Sequence, residues 1–121
     1  MPMAATALPP GAGPLWQRFA RFAIPSEGVE CQQGTLLLSV AAGSRSATGH
    51  VGFCPPFAAL PQVEVGTSSE EIEATIVAAE ILPWGVRVEC RLDEPADEAI
   101  DISVEVVARA PFHPSAPLPR R

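Results

Sequence analysis

VRVECRL, residues 86–92, alternates apolar and polar side chains without interruption. The same alternation returns in IDISVEVVARA, residues 100–110, after the short polar connection DEPADEA. A period of two residues is typical of a β-strand with one buried and one solvent-facing side. Antiparallel sheets produce this pattern, so the two stretches predict neighbouring antiparallel strands.

Three further stretches also predict strands. QVEV, from Gln62, is a shorter alternating run, and GHVGF, from Gly49, is followed by a cysteine and two prolines. TLLLSVAA, from Thr35, is a continuous apolar run that suits a strand covered on both sides. The domain is therefore expected to be rich in strands.

EEIEATIVAAEIL, residues 70–82, is ambiguous because its Glu and Ala content favours a helix. The four residues Leu82 to Gly85, LPWG, fit a type I turn, with Pro at the second position and Gly at the fourth. A tight turn that leads into the clear strand at 86–92 indicates a β-hairpin. We therefore interpret the ambiguous segment as a strand.

The stretch VGFCPPFAALPQVEV, residues 51–65, places three prolines between two strand-like runs. Proline cannot donate a hydrogen bond to a sheet, so these prolines mark a connection rather than the interior of a strand. Two sheets packed face to face would let the chain change sheets at this point. The predicted fold is all-β: a small antiparallel β-sandwich of six to seven strands, with extended Pro-rich N- and C-terminal arms.

Three zones divide the chain: an N-terminal arm (1–25), a sandwich domain (26–110) and a Pro-rich tail (111–121). The arm contains PLWQRFARFAI, in which Trp16, Phe19, Ala20 and Ala23 follow helical spacing after Pro14. Such a short helix needs a surface on which to dock. It could pack on its own sandwich or contact a neighbour, and exposed aromatic residues with Arg favour the neighbour.

The predicted partner-binding residues of this segment are therefore Trp16, Phe19 and Phe22.

The net charge of −6 argues against nucleic acid as a partner, because phosphate binding needs a basic face. No stretch approaches the about 20 apolar residues of a membrane span, so membrane insertion is not expected. The N-terminal residues lack the basic region of a secretory signal. We expect a cytoplasmic, virion-associated or non-classically exported protein.

An enzyme is not expected, because no G-x-S-x-G motif occurs and no carboxylate is placed to orient His50. No phosphate-binding loop or cofactor motif is present, so no cofactor is predicted. The acidic residues between Asp93 and Asp101 could hold calcium or form a solvated hairpin, and their spacing favours the hairpin. The cysteines Cys31, Cys54 and Cys90 are interpreted as small buried apolar residues rather than as part of a disulfide framework.

Three motifs together resemble the H-type lectin domain, the fold of a snail agglutinin: VGFCPPFAALPQVEV, AAEILPWGVRVEC and ISVEVVARA. Cys90 matches the cysteine of the family's G-F-x-x-x-C strand, while Val86 stands where an aromatic residue is usual. GVEC, which ends at Cys31, is similar to the family's first strand. The resemblance covers about residues 26–110.

This resemblance implies a six-stranded sandwich that assembles as a homotrimer and binds N-acetylgalactosamine-type sugars in grooves between subunits. Glu73 stands where the family has a sugar-contacting Arg, and Asp93 and Glu94 stand where it has a Trp-His pair. Trp84, at the tip of the predicted hairpin, is either a stacking platform for a ligand or a cover for the end of the sandwich. The predicted carbohydrate-contacting residues are Ser44, Arg45, Ser46, Glu73, Trp84, Asp93 and Glu94.

The sequence is compatible with two functions of different class. One is a non-enzymatic binding module, an H-type lectin-like homotrimer that binds glycans. The other is a structural subunit of a larger protein assembly, such as a virion, tail or surface fibre, which uses the sandwich and the arms for protein contacts.

Overall fold

Seven antiparallel strands form two sheets in the computed structural model, which describes residues 13–67 and 73–112. The strands are β1 (Gly13–Ile24), β2 (Val29–Val40), β3 (Ser46–Gly52), β4 (Gln62–Thr67), β5 (Ala74–Leu82), β6 (Gly85–Leu92) and β7 (Ile100–Pro111). One sheet has the order β1-β2-β7-β4 and the other has the order β3-β6-β5. This confirms the predicted all-β sandwich. The expected arm residues 1–12, the tail 113–121 and residues 68–72 lie outside the described residues.

The alternating strands supply the core between the sheets. Side chains from β2, β6 and β7 are buried there, with Leu36, Val88 and Val104 each 0% exposed. On β7 every second residue from Ile102 to Ala110 is buried, and the intervening residues are exposed or half-buried. The period-two pattern of the sequence therefore corresponds to the two faces of real strands.

The predicted hairpin and crossover are both confirmed. β5 and β6 pair through the turn at Pro83 and Trp84, with Leu82 opposite Gly85. The proline-containing stretch leads from β3 in the smaller sheet to β4 in the larger one, and its Cys54–Pro55 peptide bond is cis. Phe53 and Phe57, which flank these prolines, are buried and stack edge to face with 4.9 Å between their ring centroids.

The predicted helix around Trp16 is wrong, because residues 13–24 form β1. This strand pairs with β2 over its whole length, with Ile24 opposite Val29 and Phe19 opposite Gly34. A two-turn helix would be marginal by itself, whereas a strand satisfies its backbone through the β2 ladder. The larger sheet therefore includes residues that the sequence analysis assigned to the arm.

β2 joins two segments that the sequence analysis treated separately, GVEC and TLLLSV. Gly34 lies between them and is opposite Phe19 of β1. No helix with the length and apolar character of a membrane span is found within residues 13–67 and 73–112.

Candidate binding surfaces

The loop that follows β2 is joined to the loop that follows β6. The amides of Leu92 and Ala96 donate to the carbonyls of Arg45 and Ser44, at 2.6 and 2.9 Å. The Arg45 guanidinium also donates to the carbonyl of Asp93 at 2.9 Å. Among the predicted ligand residues, Arg45 and Asp93 are therefore adjacent, and the Arg45 side chain bonds to backbone at the end of the sandwich.

An acidic cleft, lined by residues 92–97 with Glu73 and Ile100, opens at this end with a volume of about 410 Å³. It brings together three predicted ligand residues, Glu73, Asp93 and Glu94, and adds Asp97. Carboxylates accept hydrogen bonds from sugar hydroxyls, but this lining contains no aromatic ring that could cover an apolar sugar face. In the described part of the chain, no group of three or more His, Cys, Asp or Glu side chains is arranged to hold a metal ion.

Trp84 lies at the opposite end of the molecule from this cleft. β6 separates them by eight residues, which is about 25 Å of extended chain. The predicted ligand residues therefore do not form one site. Glu73, Asp93 and Glu94 line the acidic cleft with Arg45 bonded beside it, whereas Trp84 lies apart from them.

The turn that carries Trp84 is held by its backbone. The carbonyl of Trp84 accepts from the amide of Phe53 at 2.9 Å, and the carbonyl of Pro83 accepts from the amide of Phe57 at 2.8 Å. The Trp84 residue is nevertheless 60% exposed. Most of the residue is thus available at the surface rather than used to cover the end of the sandwich.

A groove beside this residue, which we term the tryptophan groove, has a volume of about 190 Å³. Its lining combines apolar side chains and bare backbone with three polar side chains. The lining residues are His50, Val51, Gly52, Glu80, Leu82, Trp84, Gly85, Val86 and Arg87.

Two glycines lie opposite each other within this groove. Gly52 of β3 pairs with Gly85 of β6, and Gly85 in turn pairs with Leu82 of β5. A Cβ at Gly52 would meet nothing within 4 Å, so a ligand can approach the backbone closely there, whereas a Cβ at Gly85 would lie 3.0 Å from the Val51 carbonyl oxygen. The exposed indole stands beside this bare surface.

Charged side chains surround the groove on its polar side. Arg87 Nη1 lies 3.2 Å from Glu80 Oε1, and Arg87 Nε lies 3.2 Å from Glu89 Oε2. All three side chains are more than a third exposed, so these pairs contribute little to stability. They bring one guanidinium and two carboxylates together at the surface, where each can bond a ligand hydroxyl.

The polar surface continues along the same face of the smaller sheet. A further cavity of about 620 Å³ is lined by Ser46, Thr48, Thr75, Val77, Glu89, Cys90 and Arg91. Of the predicted ligand residues, only Ser46 lies here. The Arg87–Glu89 ion pair connects the two cavities, so a ligand longer than one ring would meet hydroxyl and charged groups beyond the groove.

Sequence reasoning identified Trp84 but missed Glu80 and Arg87 as groove residues, and considered His50 only as a catalytic group. The alternating pattern of β6 placed Arg87 on the polar face of that strand. This face lies next to an exposed tryptophan, and that proximity could have identified Arg87 as a groove residue. His50 of β3 and Glu80 of β5 both lie opposite Arg87 of β6. This pairing is set by the register of the three-stranded sheet, which the sequence of any one strand does not show.

The predicted partner-binding residues divide between the two faces of β1. Trp16 and Phe22 are 49% and 41% exposed on the outer face. Phe19 instead packs against the core of its own sandwich. The structure thus places Phe19 on the core side of β1, and the prediction that this segment docks on a neighbour stays a prediction.

Comparison with known protein-family models gives no match, and comparison with curated proteins finds no relative. The resemblance to the H-type lectin domain thus rests on the motifs of the sequence.

Proposed function

We propose that this protein is a non-enzymatic carbohydrate-binding module and that its sugar ligand binds in the tryptophan groove. The observation that supports this most directly is the exposed indole of Trp84 beside a floor of paired glycines. A sugar ring has a weakly apolar face that packs on an aromatic ring, and hydroxyls that need donors and acceptors in fixed directions.

The polar groups around the groove meet the second requirement. Glu80 accepts hydrogen bonds, Arg87 donates them, and the His50 ring can do either. Arg87 Nη1 donates to Glu80 Oε1 at 3.2 Å, so a donor and an acceptor lie side by side at the groove.

The proposal is tested by screening the purified protein on a glycan array and titrating the best ligand in solution. Trp84→Ala is expected to weaken binding about tenfold or more, since loss of about 1.4 kcal/mol of stacking corresponds to tenfold. Trp16→Ala is the matched control: it removes the other tryptophan, which lies on a different sheet, and is expected to leave the soluble-sugar affinity unchanged.

A second arm of this experiment concerns the acidic cleft. If Arg45→Ala or Asp93→Ala abolishes binding while Trp84→Ala does not, the ligand site is the cleft and the tryptophan-groove assignment is wrong. A protein that binds no glycan at all would contradict the carbohydrate proposal as a whole.

A structural subunit of a virion, tail or surface fibre is the second candidate function. It is favoured by β1, which holds three of the six large apolar side chains that are exposed among the described residues: Leu15, Trp16 and Phe22. Exposed aromatic residues on an edge strand are a typical feature of protein interfaces. This candidate predicts that the chain forms a defined assembly in the absence of any sugar.

A further inference from the structure

β1 is a long edge strand that only β2 pairs with in the described part of the chain. It has twelve residues and its one irregularity lies near its start, between Pro14 and Trp16. The rest of its outer edge is a regular row of backbone donors and acceptors. Unprotected edges of this length are templates for pairing with another strand.

The other three edges are each protected. On β3, the carbonyls of His50 and Gly52 accept hydrogen bonds from the side chains of Gln17 and Gln32, both at 3.0 Å. β4 has only six residues, and β5 has a register shift between Ala78 and Glu80. Short strands, bulges and occupied backbone groups are the devices that prevent edge pairing, so β1 differs from the other edges of this fold.

The sequence of β1 is self-complementary when two copies run antiparallel around Phe19. In this register Trp16 of each copy lies opposite Phe22 of the other on the outer face, so the exposed aromatic residues cover each other. Arg18 lies opposite Ala20, which avoids like charges in direct opposition. A register centred on Arg18 would instead place the two Arg18 side chains opposite each other.

We propose that two copies of this chain associate through β1 in this register and form a continuous eight-stranded sheet, with four strands from each copy. The interface is isologous, because each half contributes the same residues. This inference is independent of sugar binding, since it rests on the edge of the larger sheet rather than on the tryptophan groove.

Charge substitutions at Ala20 test the interface. Ala20→Arg places a second cation opposite Arg18 at two symmetric positions and is expected to raise the dimer dissociation constant more than about tenfold. Ala20→Glu places an anion there and is expected to lower it. Sedimentation velocity across a concentration series gives the constants, and circular dichroism confirms that each variant is folded.

Gln33→Arg is the matched control. Gln33 is exposed on the same sheet face and pairs with Ala20, but it lies on β2, one strand away from the edge. It adds the same charge without facing Arg18 of the other copy, so the dissociation constant should stay within about twofold of the parent value.

Disulfide trapping tests the register. In a Cys54→Ser background, which removes the exposed native thiol, chains carrying Arg18→Cys are mixed with chains carrying Ala20→Cys and oxidised. Residues directly opposite each other have Cβ atoms about 4.5–5.5 Å apart, close enough to crosslink. We expect a crosslinked heterodimer from the mixture and little crosslinking from either chain alone.

Several results would overturn the inference. A parent protein that is monomeric at every concentration excludes it, and so does a trimer, which the H-type lectin resemblance implies. Equal dissociation constants for Ala20→Arg and Ala20→Glu would show that β1 is not the interface. Crosslinking of Ala20→Cys chains by themselves would place the symmetry centre at Ala20 and make the register around Phe19 wrong.

Discussion

A single side chain, Arg21, joins the proline-rich crossover to the edge of the larger sheet. Its guanidinium carbon lies 4.0 Å from the centroid of the Phe57 ring, and Nη1 donates to the carbonyl of Pro55 at 2.8 Å. Nη2 lies 3.4 Å from a carboxylate oxygen of Glu30, and the Arg21 side chain is only 19% exposed. The planar guanidinium can stack and donate at the same time, which an ammonium cannot do.

Replacement of Arg21 by Lys is expected to lower the free energy of unfolding by about 1–2 kcal/mol, because the charge remains but the stacking and the paired donors are lost. Urea denaturation measures the change. Arg91→Lys, at an exposed position of β6, is the control and should shift stability by less than about 0.5 kcal/mol. If the two variants are equally stable, the contacts of Arg21 do not contribute to folding.

At the scale of the strand, the docking of β1 depends on a glycine in its partner. A Cβ atom added at Gly34 would lie 2.6 Å from Cδ1 of Phe19 and 2.7 Å from its Cα. The second of these contacts is with backbone, so rotation of the Phe19 side chain cannot relieve it. The absence of a side chain at Gly34 therefore lets β1 approach closely enough to pair and lets Phe19 reach the core.

Gly34→Ala is accordingly expected to destabilise the protein by about 1–3 kcal/mol, the usual cost of overpacking. Hydrogen exchange should localise the effect, with faster exchange of the β1 amides than of the β6 amides. Gly66→Ala in β4 is a matched control, since a Cβ there would meet nothing within 4 Å. A Gly34→Ala protein as stable as the Gly66→Ala protein would contradict the close approach of the two strands.

On the scale of the whole molecule, the three cysteines report whether the sandwich opens as a unit. Cys31 and Cys90 are 1% and 0% exposed, whereas Cys54 is exposed on the crossover, and all three are free thiols. The interpretation of the cysteines as buried apolar residues is thus confirmed for two of them and wrong for Cys54. Burial raises the pKa of the Cys90 thiol, so the reactive thiolate is disfavoured while the protein is folded.

We therefore expect one thiol to react rapidly with a thiol-specific reagent at about pH 8, and the other two to react only as fast as the sandwich opens. The time course of labelling in native buffer, followed by mass spectrometry, measures both phases. Cys54→Ser should remove the rapid phase and leave the slow one. A second thiol that reacts as rapidly as Cys54 would show that one sheet opens without the other.

Strands whose identity is a local property could be predicted from the amino-acid pattern alone. Alternation predicted β6 and β7, the LPWG turn resolved β5 as a strand despite its helix-favouring composition, and the prolines predicted the change of sheets after β3. Each of these signals lies within about fifteen neighbouring residues, because pleat and turn geometry are set by adjacent backbone angles. The presence of Trp84 at an exposed turn was predictable for the same reason.

The strand state of β1 and the composition of the candidate site depend instead on contacts between segments that are distant along the chain. The apolar spacing around Trp16 is compatible with a helix, and pairing with β2, including the space left by Gly34, makes it a strand. The tryptophan groove likewise draws His50, Glu80 and Arg87 from three strands, while Asp93 lies at the other end of the sandwich. Which residues meet across a sheet depends on the register between strands distant in sequence, and the register is set by packing of the whole core rather than by any one segment.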